Sequence, residues 1–290
     1  MNLIINFTPT GMIPTKEMTP HVPVTVSEIV EDVHQAVEIG ITMVHLHARD
    51  EITGVPTYKK EIYGKIIEGI RKYAPELVVC VSLSGRGIKE FAHRASPLQL
   101  QGNLKPDMGS LTLSSLNFNK TESVNSPEMI QKLAMEMKNK GILPELEAFD
   151  AGMINYSKYL EKKGILQAPH YFNLLLGNIA CAQADLLHAG LMVRDLPKNS
   201  FWSFAGIGND QLMMNSVAIA ANGGVRVGLE DNIYFDQNRS ILAKNSDLLK
   251  RIHVLASANE RKMMSAKEMR IKLNLNPGNG SYGRAIINVQ

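Results

Sequence analysis

Cysteine is scarce: Cys80 and Cys181 are the two in 290 residues. That excludes a small domain stapled by disulfides. No run approaches the roughly 18 consecutive apolar residues that a membrane span needs. The N-terminus, MNLIINFTPTG, has no basic n-region, and Asn6 interrupts its apolar run, so it reads as a first strand rather than a signal peptide. With no export signal and no evident cysteine pairing, a reducing cytoplasm is expected. Cys80 reads as a small buried residue and Cys181, in NIACAQADLL, as helix core. An excess of one charge is also missing. Lys+Arg total 31 and Asp+Glu 28, a net charge of +3, and no basic cluster is interleaved with aromatics. This argues against a nucleic-acid partner. No Gly/Ser- or Pro-rich linker divides the chain, and no GxGxxG follows the first strand, which weakens a doubly wound nucleotide-binding sheet.

What is present is a rhythm. Short β-rich runs occur at 3–9, 42–49, 77–84, 109–113, 143–150, 171–177, 201–207 and 225–230. Their starts lie roughly 25–40 residues apart, the spacing of a strand plus a helix and loops. Several are almost continuously apolar, as parallel strands buried on both faces are. Helix signals fill the gaps. Thr25 with Glu28 forms a capping box, and the helix it opens stops at Gly40. Ile62, Ile66, Ile67 and Ile70 make a helical stripe that ends before Pro75. Ser126-Pro127-Glu128 caps another helix, and Ser265 with Glu268 repeats the capping box. Eight βα units without a break predict an α/β fold, one (β/α)8 barrel over residues 1–275. The turn-rich tail 276–290 is expected to be a packing or subunit-contact arm.

Barrels place their chemistry at the C-terminal ends of the strands. His45 and His47 stand there at i and i+2, so their side chains share one face and converge. Two imidazoles with a carboxylate suit a metal, and Glu230 at the end of strand eight is the best-placed carboxylate. Its alternative role is an ion pair with Arg226. Glu145 and Glu147 both face inward on strand five, where a buried carboxylate can serve as a base or join an internal ion-pair layer. Arg226 and Asp231 lie close enough to Glu230 to support it. Gly206 and Gly208 after strand seven form a turn whose amides suit an anion, or simply a tight turn.

The segments TPTGMIPTKEMTPHVPVTVSEIVED, HLHARDEITGVPT, CVSLSG, PDMGSLTLSSLNF, PELEAFDAGM, FAGIGNDQL, VRVGLEDNIY and AKEMRIKL occur in one order. Together they resemble the β-keto acid cleavage enzyme family over nearly the whole chain. The resemblance implies a zinc-dependent barrel, a homotetramer, that condenses a β-keto acid with acetyl-CoA to give acetoacetate and a new acyl-CoA. It implies one Zn2+ per subunit on His45, His47 and Glu230. It places Ser82, Glu147 and Asp231 around the reacting carbon, pairs Arg226 with Asp231, and sets Ser110 against the keto acid's carboxylate.

Two departures from the family stand out. Members commonly read Gly-Gly-His where this chain has Asn222-Gly223-Gly224, so contacts near the thioester or in the strand-eight turn are expected to differ. Aminohexanoate-cleaving members carry an acidic residue in the first loop, at the place of Ile13. An apolar loop cannot offset a buried ammonium, so an uncharged or apolar keto acid side chain is expected. Two other readings stay open: a different metal-dependent barrel enzyme, aldolase, lyase or hydrolase, and a non-catalytic barrel that binds a small molecule.

Overall fold

Each of the eight apolar runs forms a strand: β1 (Ile5–Phe7), β2 (Met43–Leu46), β3 (Val78–Val81), β4 (Met108–Thr112), β5 (Leu143–Ala148), β6 (His170–Leu176), β7 (Ser200–Gly206) and β8 (Gly224–Val227). In the computed structural model, which describes residues 1–285, all pair in parallel in chain order. The barrel closes where Ile5, Asn6 and Phe7 pair with Val225, Arg226 and Val227. Helices follow the strands: α1 (Val26–Ile39), α2 (Lys60–Tyr73), α3 (Phe91–Arg94), α4 (Pro127–Lys140), α5 (Ala151–Lys162), α6 (Leu186–Asp195), α7 (Asp210–Ala220) and α8 (Asn245–Ala258). A further helix, α9 (Ala266–Lys272), comes after the last unit. The architecture is the expected (β/α)8 barrel.

Local signals explain the helix limits. Thr25 accepts from the Glu28 N–H and Glu28 from the Thr25 N–H, and Gly40 takes the left-handed conformation at the end of α1. Ser126 caps α4 ahead of Pro127. Ser265 accepts from the Glu268 N–H, but the Glu268 side chain instead accepts from Asn2, 2.8 Å away, tying α9 to the N-terminus. Cys181 is not in a helix. It lies half-buried in the turn before α6, which starts only after the Asp185 cap. In that turn the Gln183 amide donates to the carbonyls of Asn178 and Cys181, so the chain is held by side-chain bonds instead of a helical ladder. No helix among the described residues is long and apolar enough to cross a membrane.

The apolar core has two parts, because alternate strand residues point to opposite faces. One packs between strands and helices. The other fills the lower barrel with Ile4, Met43, Val78, Cys80, Met108, Leu143 and Tyr171, and Met269 and Leu273 close it from below. At this lower face Arg270 forms a buried ion pair with Asp107, 2.8 Å apart. Residues 276–285 fold against it: the Gly283 N–H donates to Asp107, and Arg71 stacks on the Tyr282 ring. The rest of the tail, 286–290, lies outside the described residues.

One buried contact braces the upper rim. Asn245 on α8 accepts from the Leu229 N–H and donates to the carbonyl of Pro9, so it ties the exits of β8 and β1 together. It also donates to Asp32 at 2.6 Å. Burial pushes the Asp32 carboxyl up to about 6, against the opposing bond from Asn245. A carboxyl raised in the fold holds its proton more tightly than in the unfolded chain. Stability therefore falls as pH rises from about 4 to about 6 and is flat above that. The variant Asp32→Asn, which keeps an acceptor for Asn245, is expected to be about 1–2 kcal/mol more stable than the parent above pH 6 and equal to it near pH 4. Urea unfolding across that range checks this; parallel pH curves for the two proteins would rule it out.

Candidate active site

Parallel closure puts β8, β1 and β2 side by side, and this brings His45, His47 and Glu230 to one point. His45 Nε2 lies 3.3 Å from His47 Nε2, which lies 3.2 Å from Glu230 Oε1. Both imidazoles are buried. Two nitrogens bound to one tetrahedral zinc at about 2.0–2.1 Å stand roughly 3.3 Å apart, so the observed edge fits. Glu230 Oε2 is buried without any partner among the described residues. A buried carboxylate oxygen left bare is costly unless a cation meets it. The donor set and the bare oxygen therefore both fit a metal ion.

The other ring nitrogen of His45 is also fixed. Nδ1 is 2.5 Å from Glu145 Oε2. That carboxylate accepts further bonds from Asn6 at 2.7 Å and from the Cys80 thiol at 3.2 Å. Burial alone would lower His45, but Glu145 and Glu230 raise it to about 9, while Glu145, pushed up by burial, is brought down to about 2 by His45 and Arg226. Glu145 thus holds the ring with Nε2 facing His47, the usual support of a ligating imidazole. Cys80 and Glu145 also form a possible ligand group with His45, but it uses the same ring. Burial pushes the Cys80 thiol well up, so it acts there as a neutral donor. Glu145 was visible in the sequence as an inward carboxylate. Its partner lies across the barrel, 100 residues away, and no local spacing reveals it. Burial lowers His47, which keeps that imidazole neutral.

Arg226 organises the carboxylates. It donates to Glu230 at 2.6 Å and to Asp231 at 3.0 Å, and reaches Glu147 at 3.5 Å. Thr112 donates to Glu147 at 2.7 Å. Burial would raise Glu230, but Arg226, His47 and His45 hold it well below the carboxylate range. Glu147 and Asp231 end up raised: burial outweighs Arg226 at both, and Glu230 adds repulsion at Asp231. Ser82, just past β3, has its hydroxyl oxygen 3.4 Å from the Ser84 N–H and donates to no acceptor among the described residues.

Other expected positions fall differently. Ser110 is buried inside β4, where its oxygen accepts from the Leu83 N–H at 2.9 Å. Ile13 is half-exposed in the loop above Glu230. That loop is clamped by Arg49, which donates to the carbonyls of Gly11 and Pro14. Gly11 has φ +65°, and a Cβ there would stand 2.5 Å from Glu230 Cγ, so only glycine lets the loop lie so close. The anion cradle expected at Gly206 and Gly208 has no free amides at its centre. The Ile207 N–H donates to Leu176 and the Gly208 N–H to Asp231. Gly206 is needed because a Cβ would strike the carbonyl of Asp210. Gly224 starts β8 at the lower end, where a Cβ would meet Ser203 and Ile4. The absent imidazole therefore bears on the barrel interior below Arg226, not on the rim where a thioester would sit.

Fold and site together define a (β/α)8-barrel enzyme whose rim carries two converging histidines and a cluster of carboxylates around one arginine. The family model for β-keto acid cleavage enzymes matches residues 2–275, and the chain belongs to that family. It is 36% identical over 276 residues to 3-keto-5-aminohexanoate cleavage enzyme of Fusobacterium nucleatum, covering 94% of this chain and 98% of that one. It is 34% identical over 275 residues to 3-oxoadipate:acetyl-CoA acetyltransferase of Cupriavidus necator, covering 94% of each. Among solved structures, apo ObcA superimposes with TM-score 0.78 at 19% identity over 88% of this chain. This chain spans 65% of ObcA's length, and the likeness is one of fold.

Proposed function

We propose that this chain condenses a β-keto acid with acetyl-CoA, yielding acetoacetate and a new acyl-CoA. The observation that carries the reading is the bare, buried Glu230 oxygen beside two imidazole nitrogens, with the raised carboxylates Asp231 and Glu147 joined to it through Arg226. Relatives whose names specify β-keto acids and acetyl-CoA support it. His45, His47 and Glu230 would hold zinc, which when bound supplies Lewis-acid polarisation of a carbonyl.

The protein's own groups do the rest. Asp231 or Glu147 removes a proton from the carbon between carboxylate and ketone, since a raised carboxyl is a stronger base than an ordinary one. The resulting carbanion bonds to the acetyl carbon of acetyl-CoA and the CoA thiolate leaves. The thiolate then adds to the original ketone, and the carbon–carbon bond beside it breaks, releasing acetoacetate once the carboxylic acid formed earlier returns its proton. Arg226 keeps the carboxylates apart and oriented through both halves. Ser82 offers a free hydroxyl donor at the same rim. Cys80 takes no part as a nucleophile, since it is buried and neutral.

The loop Met12–Ile13–Pro14 presents no carboxylate, so the favoured keto acid carries an uncharged or apolar side chain. Incubation of zinc-loaded protein with 3-oxopentanoate, 3-oxohexanoate, 3-oxoadipate or 3-keto-5-aminohexanoate, each with acetyl-CoA, tests both statements. Acetoacetate and the matching acyl-CoA are expected, fastest with the first two acids. Turnover without acetyl-CoA would sink the condensation. Faster cleavage of the amino acid analogue would sink only the side-chain preference.

A further inference from the structure

Arg226, the arginine at the centre of the site, is fully engaged with carboxylates of the protein, which leaves it no free fork for the anions that the substrates carry. Ser110, placed by family resemblance at the keto acid's carboxylate, is buried in β4 with its oxygen already accepting a backbone N–H. One cation near the rim is unengaged. Arg86 lies in the connection that follows β3, four residues past Ser82. Its guanidinium stacks on the Phe118 ring, 3.4 Å from the centroid. It forms no ion pair or side-chain hydrogen bond among the described residues; its backbone N–H alone is bound, to Ser84 Oγ at 3.2 Å.

The segment under it is rigidly built. Arg94 is buried and donates to the carbonyls of Leu83 and Val124 and to Asn125 Oδ1, at 2.8, 3.1 and 2.7 Å. Gly85 lies so close to this brace that a Cβ would stand 2.5 Å from the Val124 carbonyl. Phe118 is held in turn by an edge-on contact with Phe149 at the end of β5, with centroids 6.0 Å apart. Burial lowers the Arg86 guanidinium from its ordinary value, and the two carboxylates whose charge it feels are Glu230 and Glu147. An arginine fixed by a ring face on the connection that leaves β3 at the catalytic rim, with its fork unengaged among the described residues, is an arrangement that recognises a planar oxyanion in two-pronged fashion.

We propose that Arg86 is a substrate-binding residue that grips an oxyanion of one substrate, either the carboxylate common to all β-keto acids or a phosphate of CoA. This rests on the condensation proposed above. The test is steady-state kinetics of the zinc-loaded parent, Arg86→Met and Arg86→Lys with 3-oxopentanoate. Two acyl donors are used, acetyl-CoA and acetyl-pantetheine, which lacks the phosphates.

Loss of a charge-assisted two-pronged contact is expected to raise one KM by about 10- to 100-fold in Arg86→Met, with a smaller change in kcat and an unchanged melting temperature. Arg86→Lys, which keeps the charge but not the fork, should raise the same KM less. A rise in the keto acid KM that persists with acetyl-pantetheine assigns the carboxylate. A rise in the acetyl-CoA KM that vanishes with acetyl-pantetheine assigns the phosphate. Both KM values within twofold of the parent in a folded variant would overturn the proposal. If Arg86→Met does not fold, unchanged KM values in Arg86→Lys do the same. A parent that forms no acetoacetate from any of the keto acids fails the condensation itself, which is a separate result.

Discussion

The variant His45→Ala is expected to lose bound zinc and at least about 10³-fold in acetoacetate formation. Lewis-acid stabilisation by a bound metal contributes several kcal/mol, and each 1.4 kcal/mol is a factor of ten in rate. Two remaining ligands, His47 and Glu230, leave an incomplete set for a catalytic zinc, which takes three from the protein. The fold should survive, because Glu145 keeps its bonds from Asn6 and Cys80 after the imidazole is gone. Metal content by mass spectrometry, read together with circular dichroism and turnover, separates loss of metal from loss of structure. The same measurements on Glu145→Gln grade the effect. That variant keeps all three ligands but weakens the group that orients His45, so zinc affinity should drop about 10- to 100-fold. Full zinc and full turnover in His45→Ala would defeat the metal assignment and leave a barrel whose histidines only pack.

The strands were the most legible part of the chain, for a physical reason. A parallel strand covered on both faces must be apolar nearly throughout, so runs such as LVVCVSL and YFNLLLG announce themselves. His45-x-His47 was legible too, because strand geometry alone makes i and i+2 converge. Glu230 is 183 residues from His47 and joins it only because the sheet closes β8 onto β1 beside β2. Closure is a property of the whole chain that no window of sequence carries. The same holds for Glu145 and for Arg86, whose surroundings read as an irregular connection. Glycine was the weakest guide. At Gly206 and Gly208 the residue answers to chain packing, with the nearby amides bonded within the fold, whereas the close approach at Gly11 shapes the loop over Glu230 and had no signature beyond the residue itself.

Arg226→Met carries the other large expected effect, and it acts on stability and chemistry together. Among the described residues Arg226 is the one arginine bonded to Glu147, Glu230 and Asp231, and its side chain is 2% exposed. Removing it leaves three carboxylates facing each other away from water. Breaking a buried ion pair from one side costs about 3–5 kcal/mol, and that loss is expected at pH 7 in urea unfolding. The carboxyls would respond by moving up: Glu230 would lose its depression, and Glu147 and Asp231, already raised, would rise further. A group raised in the fold stabilises it as pH falls, so the gap between variant and parent should narrow from pH 7 to pH 5. A gap that is constant over that range would show that Arg226 serves packing instead of charge. The chemistry should suffer for the same reason. With Asp231 and Glu147 protonated at neutral pH the base is absent, a loss of about 10²–10⁴ in kcat, and protonation of Glu230 should weaken zinc as well. Arg226→Lys keeps a charge but cannot reach three carboxylates with one fork. It should therefore fall between parent and Arg226→Met in stability, zinc content and rate alike, because all three depend on the same side chain.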